Sequence, residues 1–199
     1  MQTLLAGYRK FRSEVWRPDP QRFAELAKGQ QPQTLVISCS DSRVSPTTIF
    51  SAQPGELFVV RNVASIVPPY ETYAGHHGVS AAIAFAVVNL KVARIVVLGH
   101  EHCGGVAAAR AKDTITTPFV SQWVSLLEPA IHACGHGSDH IAVEQESVRL
   151  SVQRLLTFPF IVERMEKDGL QLIGAHFKIS DGTLSVLDLP TQEFKQVAD

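Results

Sequence analysis

Charge is scarce in this sequence: Asp, Glu, Lys and Arg make up 19% of its 199 residues, below the roughly 25% of an average soluble domain. With 45% apolar residues, that balance excludes a disordered or heavily solvated chain. An excess of either sign is absent too, since 18 Lys+Arg stand against 19 Asp+Glu for a formal charge of -1. Such a balance draws in neither nucleic acid nor an anionic membrane and suits a small or neutral substrate. Long hydrophobic runs are missing. The longest, Ala81 to Val88, has eight residues, against about 20 for a membrane span. The opening MQTLLAGYRKFRSEVW reaches Arg9 and Lys10 before any long apolar region and has no small-residue cleavage site, so no secretory signal and a cytoplasmic location are expected. Cysteines are few: Cys39, Cys103 and Cys134 do not make a disulfide framework and turn attention to metal binding or catalysis. No repeat, low-complexity tract or long linker appears, and one domain over residues 1–199 is expected.

Three short β-branched runs, Thr34 to Ser38, Leu57 to Val60 and Arg94 to Leu98, lack alternation, as strands covered on both faces do. Gly75 to Leu90 is Ala-rich and long enough for a helix between the second and third runs, which predicts a parallel sheet built through a crossover. Helices are also expected over Pro20 to Lys28, ending near Gly29, and over Pro118 to Ala133 and Glu144 to Leu156. Leu170 to Ile179 and Thr183 to Leu189 flank Asp181-Gly182 and read as a C-terminal edge hairpin. The fold class is α/β, with a mostly parallel central sheet and flanking helices.

Chemistry-bearing residues gather at the carboxyl ends of these strands, where open α/β sheets bind ligands. Cys39 follows the first run, while His100 and Cys103 follow the third in GHEHCGG. The His-x-x-Cys spacing supplies the local half of a metal site, and Cys39, 61 residues before His100, supplies a distant third ligand. Two thiolates and an imidazole favour zinc, and three protein ligands leave a fourth position for a water that the metal makes acidic. The plainer alternative is two buried thiols and a hydrogen-bonded histidine. Asp41 and Arg43, two apart in CSDSRV, have three options: an exposed ion pair, a fourth zinc ligand from Asp41, or an Arg-held carboxylate beside an open metal.

CSDSRV, QPGELFVVRNVA (Gln53 to Ala64), PPYETYAG (Pro68 to Gly75) and VLGHEHCGG (Val97 to Gly105) occur in an order and spacing that resemble the β-class carbonic anhydrases, with a weaker likeness at GAHFKISDGTL (Gly174 to Leu184). The resemblance implies a zinc enzyme interconverting carbon dioxide with bicarbonate and a proton by attack of zinc-bound hydroxide. It makes Cys39, His100 and Cys103 the ligands and Asp41 with Arg43 the dyad beside them. It also places Gln30 against substrate, Phe58, Val63 and Phe85 in the pocket wall, some of them from a partner subunit, and the Gly104 N–H near a substrate oxygen. N-terminal helices that join a homodimer, often doubled to a tetramer, are expected from the same likeness.

Phe85 stands where many members have tyrosine, so a phenolic hydrogen bond is missing. A second, non-catalytic bicarbonate site in part of the family uses a tryptophan, an arginine and a tyrosine. The matching positions here are Val36, Arg61 and Phe177, so no such site is expected, and Asp41 is expected on Arg43 with the zinc open to water. His132, Cys134, His136 and His140 are read as a solvated loop and His76 and His77 as polar neighbours of a helix start, any of them a conceivable proton shuttle. Hydrolysis of carbonyl sulfide or carbon disulfide, a structural zinc protein, and a Cys39 nucleophile with His100 as base are the competing readings.

Overall fold

The computed structural model describes residues 1–73, 75–111, 117–135 and 137–198. The chain forms two compact units, Met1–Gln31 and Pro32–Asp199. In the first, α1 (Gln2–Phe11) continues through a widened turn, Arg12–Trp16, and is followed by α2 (Pro20–Leu26). Asp19 caps α2 by accepting the Arg22 N–H at 3.1 Å, and Pro20 sits at the helix start, where its missing N–H costs nothing. The Phe11 and Trp16 rings lie 6.0 and 6.3 Å from Phe23 and tie the two helices together. Leu4, Tyr8, Phe11 and Val15 recur at three- and four-residue spacing and are exposed.

The second unit is a six-stranded sheet in the order β2-β1-β3-β4-β5-β6. β1 (Thr34–Cys39), β2 (Leu57–Asn62), β3 (Arg94–His100) and β4 (Gln171–Phe177) pair in parallel, whereas β5 (Leu184–Asp188) and β6 (Glu193–Gln196) are antiparallel additions. Leu35, Ile37, Ile95 and Val97 face one layer of helices: α4 (Gly78–Ala84), α8 (His140–Leu155) and α9 (Pro159–Asp168). Val36, Val96 and Leu98 form the opposite face with Ile49 of α3 (Pro46–Ile49). Burial on both faces is why β1 and β3 carry unbroken β-branched runs. Val148 of α8 is wedged between two strand glycines: a Cβ on Gly99 would lie 2.5 Å from its Cγ2, and one on Gly174 3.0 Å from its Cγ1. A stiff valine gripped from both sides cannot swing away, so Gly99→Ala is expected to cost about 1–3 kcal/mol. Thermal unfolding checks this, with a fall of at least about 2 °C expected and with Val148→Ala partly relieving the loss.

The α/β architecture agrees with expectation, and several boundaries move. β1 and β3 each run on to take in Cys39 and His100, so both are last strand residues rather than residues just beyond. The helix expected from Gly75 begins at Gly78 and widens over Phe85–Asn89. The helix expected over Pro118 to Ala133 is broken into α6 (Pro118–Val124), a tight turn Ser125–Leu127, and α7 (Glu128–Cys134). Pro129 is the cause, because its ring clashes with the carbonyl four residues back. α8 starts four residues before Glu144. β4 and β5 form the expected antiparallel pair, with Gly182 at φ +77° in the turn. β4 is interior, however, because β3 occupies its other side, and the short polar β6 forms the edge.

Candidate metal centre

Parallel pairing of β1 with β3 puts their carboxyl ends side by side, which brings Cys39 next to His100. Three residues further, Cys103 precedes α5 (Gly104–Arg110) and turns back toward both. One donor atom from each of the three lies within 4.8 Å of the others, and the two sulfurs are 3.9 Å apart. Tetrahedral zinc with bonds of about 2.3 Å to sulfur wants that pair about 3.8 Å apart, whereas a disulfide needs about 2.05 Å. All three are buried, at 5%, 1% and 4% exposure for Cys39, His100 and Cys103.

The histidine tautomer follows from its surroundings. His100 Nδ1 lies 2.9 Å from the Glu101 carbonyl, which can only accept, so Nδ1 carries the proton. Nε2 is then a lone pair, buried and without a hydrogen-bond partner. An orphaned buried acceptor aimed among two sulfurs is what a metal ligand looks like before its ion is considered. The contact with Cys103 pulls the Cys39 thiol well down against the effect of burial, while the same contact, together with burial, pushes Cys103 up. Burial disfavours the charged ring of His100, but the Cys39 sulfur outweighs it and raises the ring's pKa. Two adjacent sulfurs cannot both ionise without a cation between them. Zinc fits that donor set.

Asp41 and Arg43 stand beside the ligands as a two-toothed pair: Arg43 Nε donates to Oδ1 at 2.9 Å and Nη2 to Oδ2 at 2.7 Å. The Arg43 backbone N–H also donates to Oδ1 at 2.9 Å. The Arg43 side-chain hydrogen bonds hold the Asp41 carboxyl well below the usual carboxylate range, against partial burial. Arg43 Nη2 further donates to the His102 carbonyl at 3.0 Å, which fixes the dyad to the loop between His100 and Cys103.

Arg61 plays a part that the sequence did not reveal. Its Nε donates to the Cys39 carbonyl at 2.9 Å, and its Nη2 to the Asp41 and Val44 carbonyls at 2.6 and 3.1 Å. It thereby ties down the whole segment from Cys39 to Val44. The available signal was a single charge near the end of the apolar strand LFVVRN. The Ala64 N–H reaches Cys39 Sγ at 3.4 Å from a left-handed backbone, φ +65°. Asn62 clamps that turn through both hydrogen bonds to Ile66, and Trp123 Nε1 donates to the Val63 carbonyl at 2.8 Å, supports that such a strained conformation requires.

The other expected positions are spread over both units. Gln30 belongs to the N-terminal unit, beyond α2. Gly104 opens α5 directly after Cys103, with open space where a Cβ would project. Val63 is exposed beside Asn62. The Phe58 and Phe85 rings stack 5.9 Å apart, but Phe58 pairs with Leu35 while Asn62 pairs with Cys39, so four strand residues, about 13 Å, separate it from the ligands. Val36 is fully buried and Phe177 ends β4. His132 and Cys134 lie in α7 and His140 opens α8, so these three are helical residues and not parts of a loop. His136 is outside the described residues. Among the described residues, Cys39, His100 and Cys103 are the one His, Cys or carboxylate group close enough to share an ion. His77 precedes α4, its Nε2 3.1 Å from the Tyr73 carbonyl.

Residues 34–184 match the protein family described as carbonic anhydrase. The chain is similar to beta carbonic anhydrase 3 of Arabidopsis thaliana, at 34% identity over 95% of this chain and 77% of the relative. It superimposes on the beta-carbonic anhydrase CcaA with a TM-score of 0.90, at 32% identity and covering 100% of this chain and 92% of the other. Tetrameric beta-carbonic anhydrases from the ascomycete Sordaria macrospora give a TM-score of 0.83 at 31% identity, with 99% and 98% covered. The converging thiolates and imidazole, the sheet that carries them and these likenesses agree: the chain belongs to the carbonic anhydrase family, in its β-class, and is a zinc-dependent carbonate dehydratase.

Proposed function

We infer that this chain hydrates carbon dioxide reversibly to bicarbonate and a proton at the site where Cys39, His100 and Cys103 meet the Asp41–Arg43 pair. The observation that carries the reading is this convergence at one sheet edge. Zinc, when held by the three donors, supplies a water that ionises near neutral pH. Asp41, kept ionised by Arg43, accepts a hydrogen bond from the nucleophile and orients it. The Gly104 N–H, at the start of α5 and without a partner in its own helix, is available to a substrate oxygen. Val63 supplies an apolar wall suited to carbon dioxide. Because Asp41 already uses both oxygens on Arg43, Cys39, His100 and Cys103 would hold zinc without it as a ligand. Arg61, committed to three loop carbonyls, is not free to build a second bicarbonate site with Val36 and Phe177.

Phe58 and Phe85 act across a subunit boundary in this reading. β2 is an outer strand of the sheet, with an unpaired, largely apolar edge of the kind that recruits another strand. A second copy added antiparallel there brings the Phe58 end of one β2 to the Asn62 end of the other. The exposed stripe Leu4, Tyr8, Phe11 and Val15 gives the N-terminal unit an apolar face for the same assembly, a homodimer or its doubled tetramer. The expected solution mass is therefore two or four chains, and Leu4→Glu with Tyr8→Glu is expected to weaken the assembly at unchanged zinc content. Sedimentation at several concentrations checks this, and a wild-type monomer at all of them contradicts it. Among the described residues no helix is long and apolar enough to cross a membrane, and the free cysteines suit a reducing cytoplasm.

Stopped-flow hydration of carbon dioxide from pH 6.5 to 9, before and after chelation and on zinc restoration, tests the function. Zinc-restored turnover reaching the acidic end is expected. Stoichiometric zinc without turnover, or faster turnover of carbonyl sulfide or carbon disulfide, would displace the reading.

A further inference from the structure

Cys103 occupies the cap position of α5, with extended backbone at φ −67° and ψ 116°. Helix starts leave their first N–H groups without partners. A capping box answers this reciprocally: the cap side chain accepts from the first turn, and a Glu or Gln three residues on accepts the cap's own N–H. In α5 that third residue is Val106, which has no acceptor to offer. The acceptor comes instead from α8, where Glu144 places Oε1 3.0 Å from the Cys103 nitrogen. Glu144 Oε2 lies 3.1 Å from His176 Nε2 on β4.

This pair sits where charge is expensive. Glu144 and His176 are 2% and 3% exposed, and the other buried residues of α8 are Val143, Ser147, Val148, Ser151, Val152 and Leu155. An apolar side chain would fill the position without the cost of burying a carboxylate. One oxygen, moreover, faces the metal loop and the other the strand beside it. One holds the amide of Cys103, and the other holds a ring whose strand partner, Gly99, precedes His100.

We propose that Glu144, oriented by His176, is the positioning residue for Cys103, fixing from behind the peptide that aims the sulfur at Cys39 and His100. It thereby sets the zinc affinity and the geometry of that sulfur donor. The proposal rests on the zinc reading of the three donors and concerns a residue that does not touch substrate.

Two readouts besides activity test it: zinc affinity by competition with a chelator, and the thiolate-to-metal absorption of the cobalt-substituted protein. Glu144→Gln keeps the volume but replaces one acceptor with a donor. It is expected to weaken zinc by about 10- to 100-fold, the usual range for residues supporting a ligand, and to shift the cobalt band. Val152→Ala, on the same buried face of α8, is expected to lower thermal stability while leaving affinity and band unchanged. Should Glu144→Gln fail to fold, His176→Asn leaves the carboxylate in place but unoriented and is expected to shift both readouts in the same direction. Wild-type affinity with an unshifted band in the folded variant overturns the proposal, as does an equal loss in Val152→Ala. A wild-type protein that takes up neither zinc nor cobalt overturns the zinc reading itself.

Discussion

Cys39→Ala is expected to lose zinc and, with it, carbon dioxide hydration down to the uncatalysed rate. The sulfur is one of three donors within 4.8 Å, and its removal leaves only His100 at the end of β3 and Cys103 three residues later as ligands. Affinity is expected to fall by more than about 100-fold, beyond the 10- to 100-fold that loss of a supporting hydrogen-bond partner brings. The fold also loses something, because the Ala64 N–H, held in a left-handed turn, donates to that sulfur at 3.4 Å. An unsatisfied buried donor costs about 1–3 kcal/mol, so the variant is expected to melt earlier even without metal. Metal analysis, hydration kinetics and circular dichroism on the same sample separate these effects. A folded variant that keeps both zinc and turnover would remove Cys39 from the site.

Asp41→Asn is expected to keep its zinc and lose turnover by about 10²- to 10⁴-fold, the range in which a positioned acid or base contributes. The carboxylate presents two acceptor oxygens to Arg43, and an amide must turn an NH2 group toward either the guanidinium or the nucleophile. The folded-state pKa of Asp41 lies below its ordinary value, so the stability it contributes is present above about pH 4. That contribution is lost only as pH falls through the lower folded value. Across pH 6.5–9 the wild-type rate profile therefore owes nothing to protonation of Asp41. Arg43 is half-exposed, and Arg43→Ala releases the carboxylate toward the metal. Zinc retained with a hydration rate reduced most at the acidic end is the expected signature. Unchanged kcat/KM in both variants would contradict the dyad.

The parts that were legible were those whose chemistry is local. β1 and β3 announce themselves because strands covered on both faces can carry an unbroken TLVIS or RIVVL. Cys39 and His100 were readable as ligands because such strands deliver their ends to one edge. Asp41 and Arg43 could be paired, but the choice among ion pair, zinc ligand and held carboxylate required the distances. Glu144 gave no signal, since its partner is a backbone amide 41 residues away and backbone groups carry no residue identity. The break at Pro129 was readable and outweighed by apolar spacing on either side. β6 escaped because EFKQ, an edge strand, has no buried face to impose a pattern. Phe58 and Phe85 make sense as pocket residues only once the edge of β2 is considered a junction between two copies.

Exchange of oxygen-18 between carbon dioxide and water, followed by mass spectrometry on protein of known zinc content, reads the reversible reaction itself. Label loss in proportion to bound zinc is expected, abolished in Cys39→Ala and strongly slowed in Asp41→Asn. Exchange at the uncatalysed rate, with one zinc per chain on Cys39, His100 and Cys103, would contradict it.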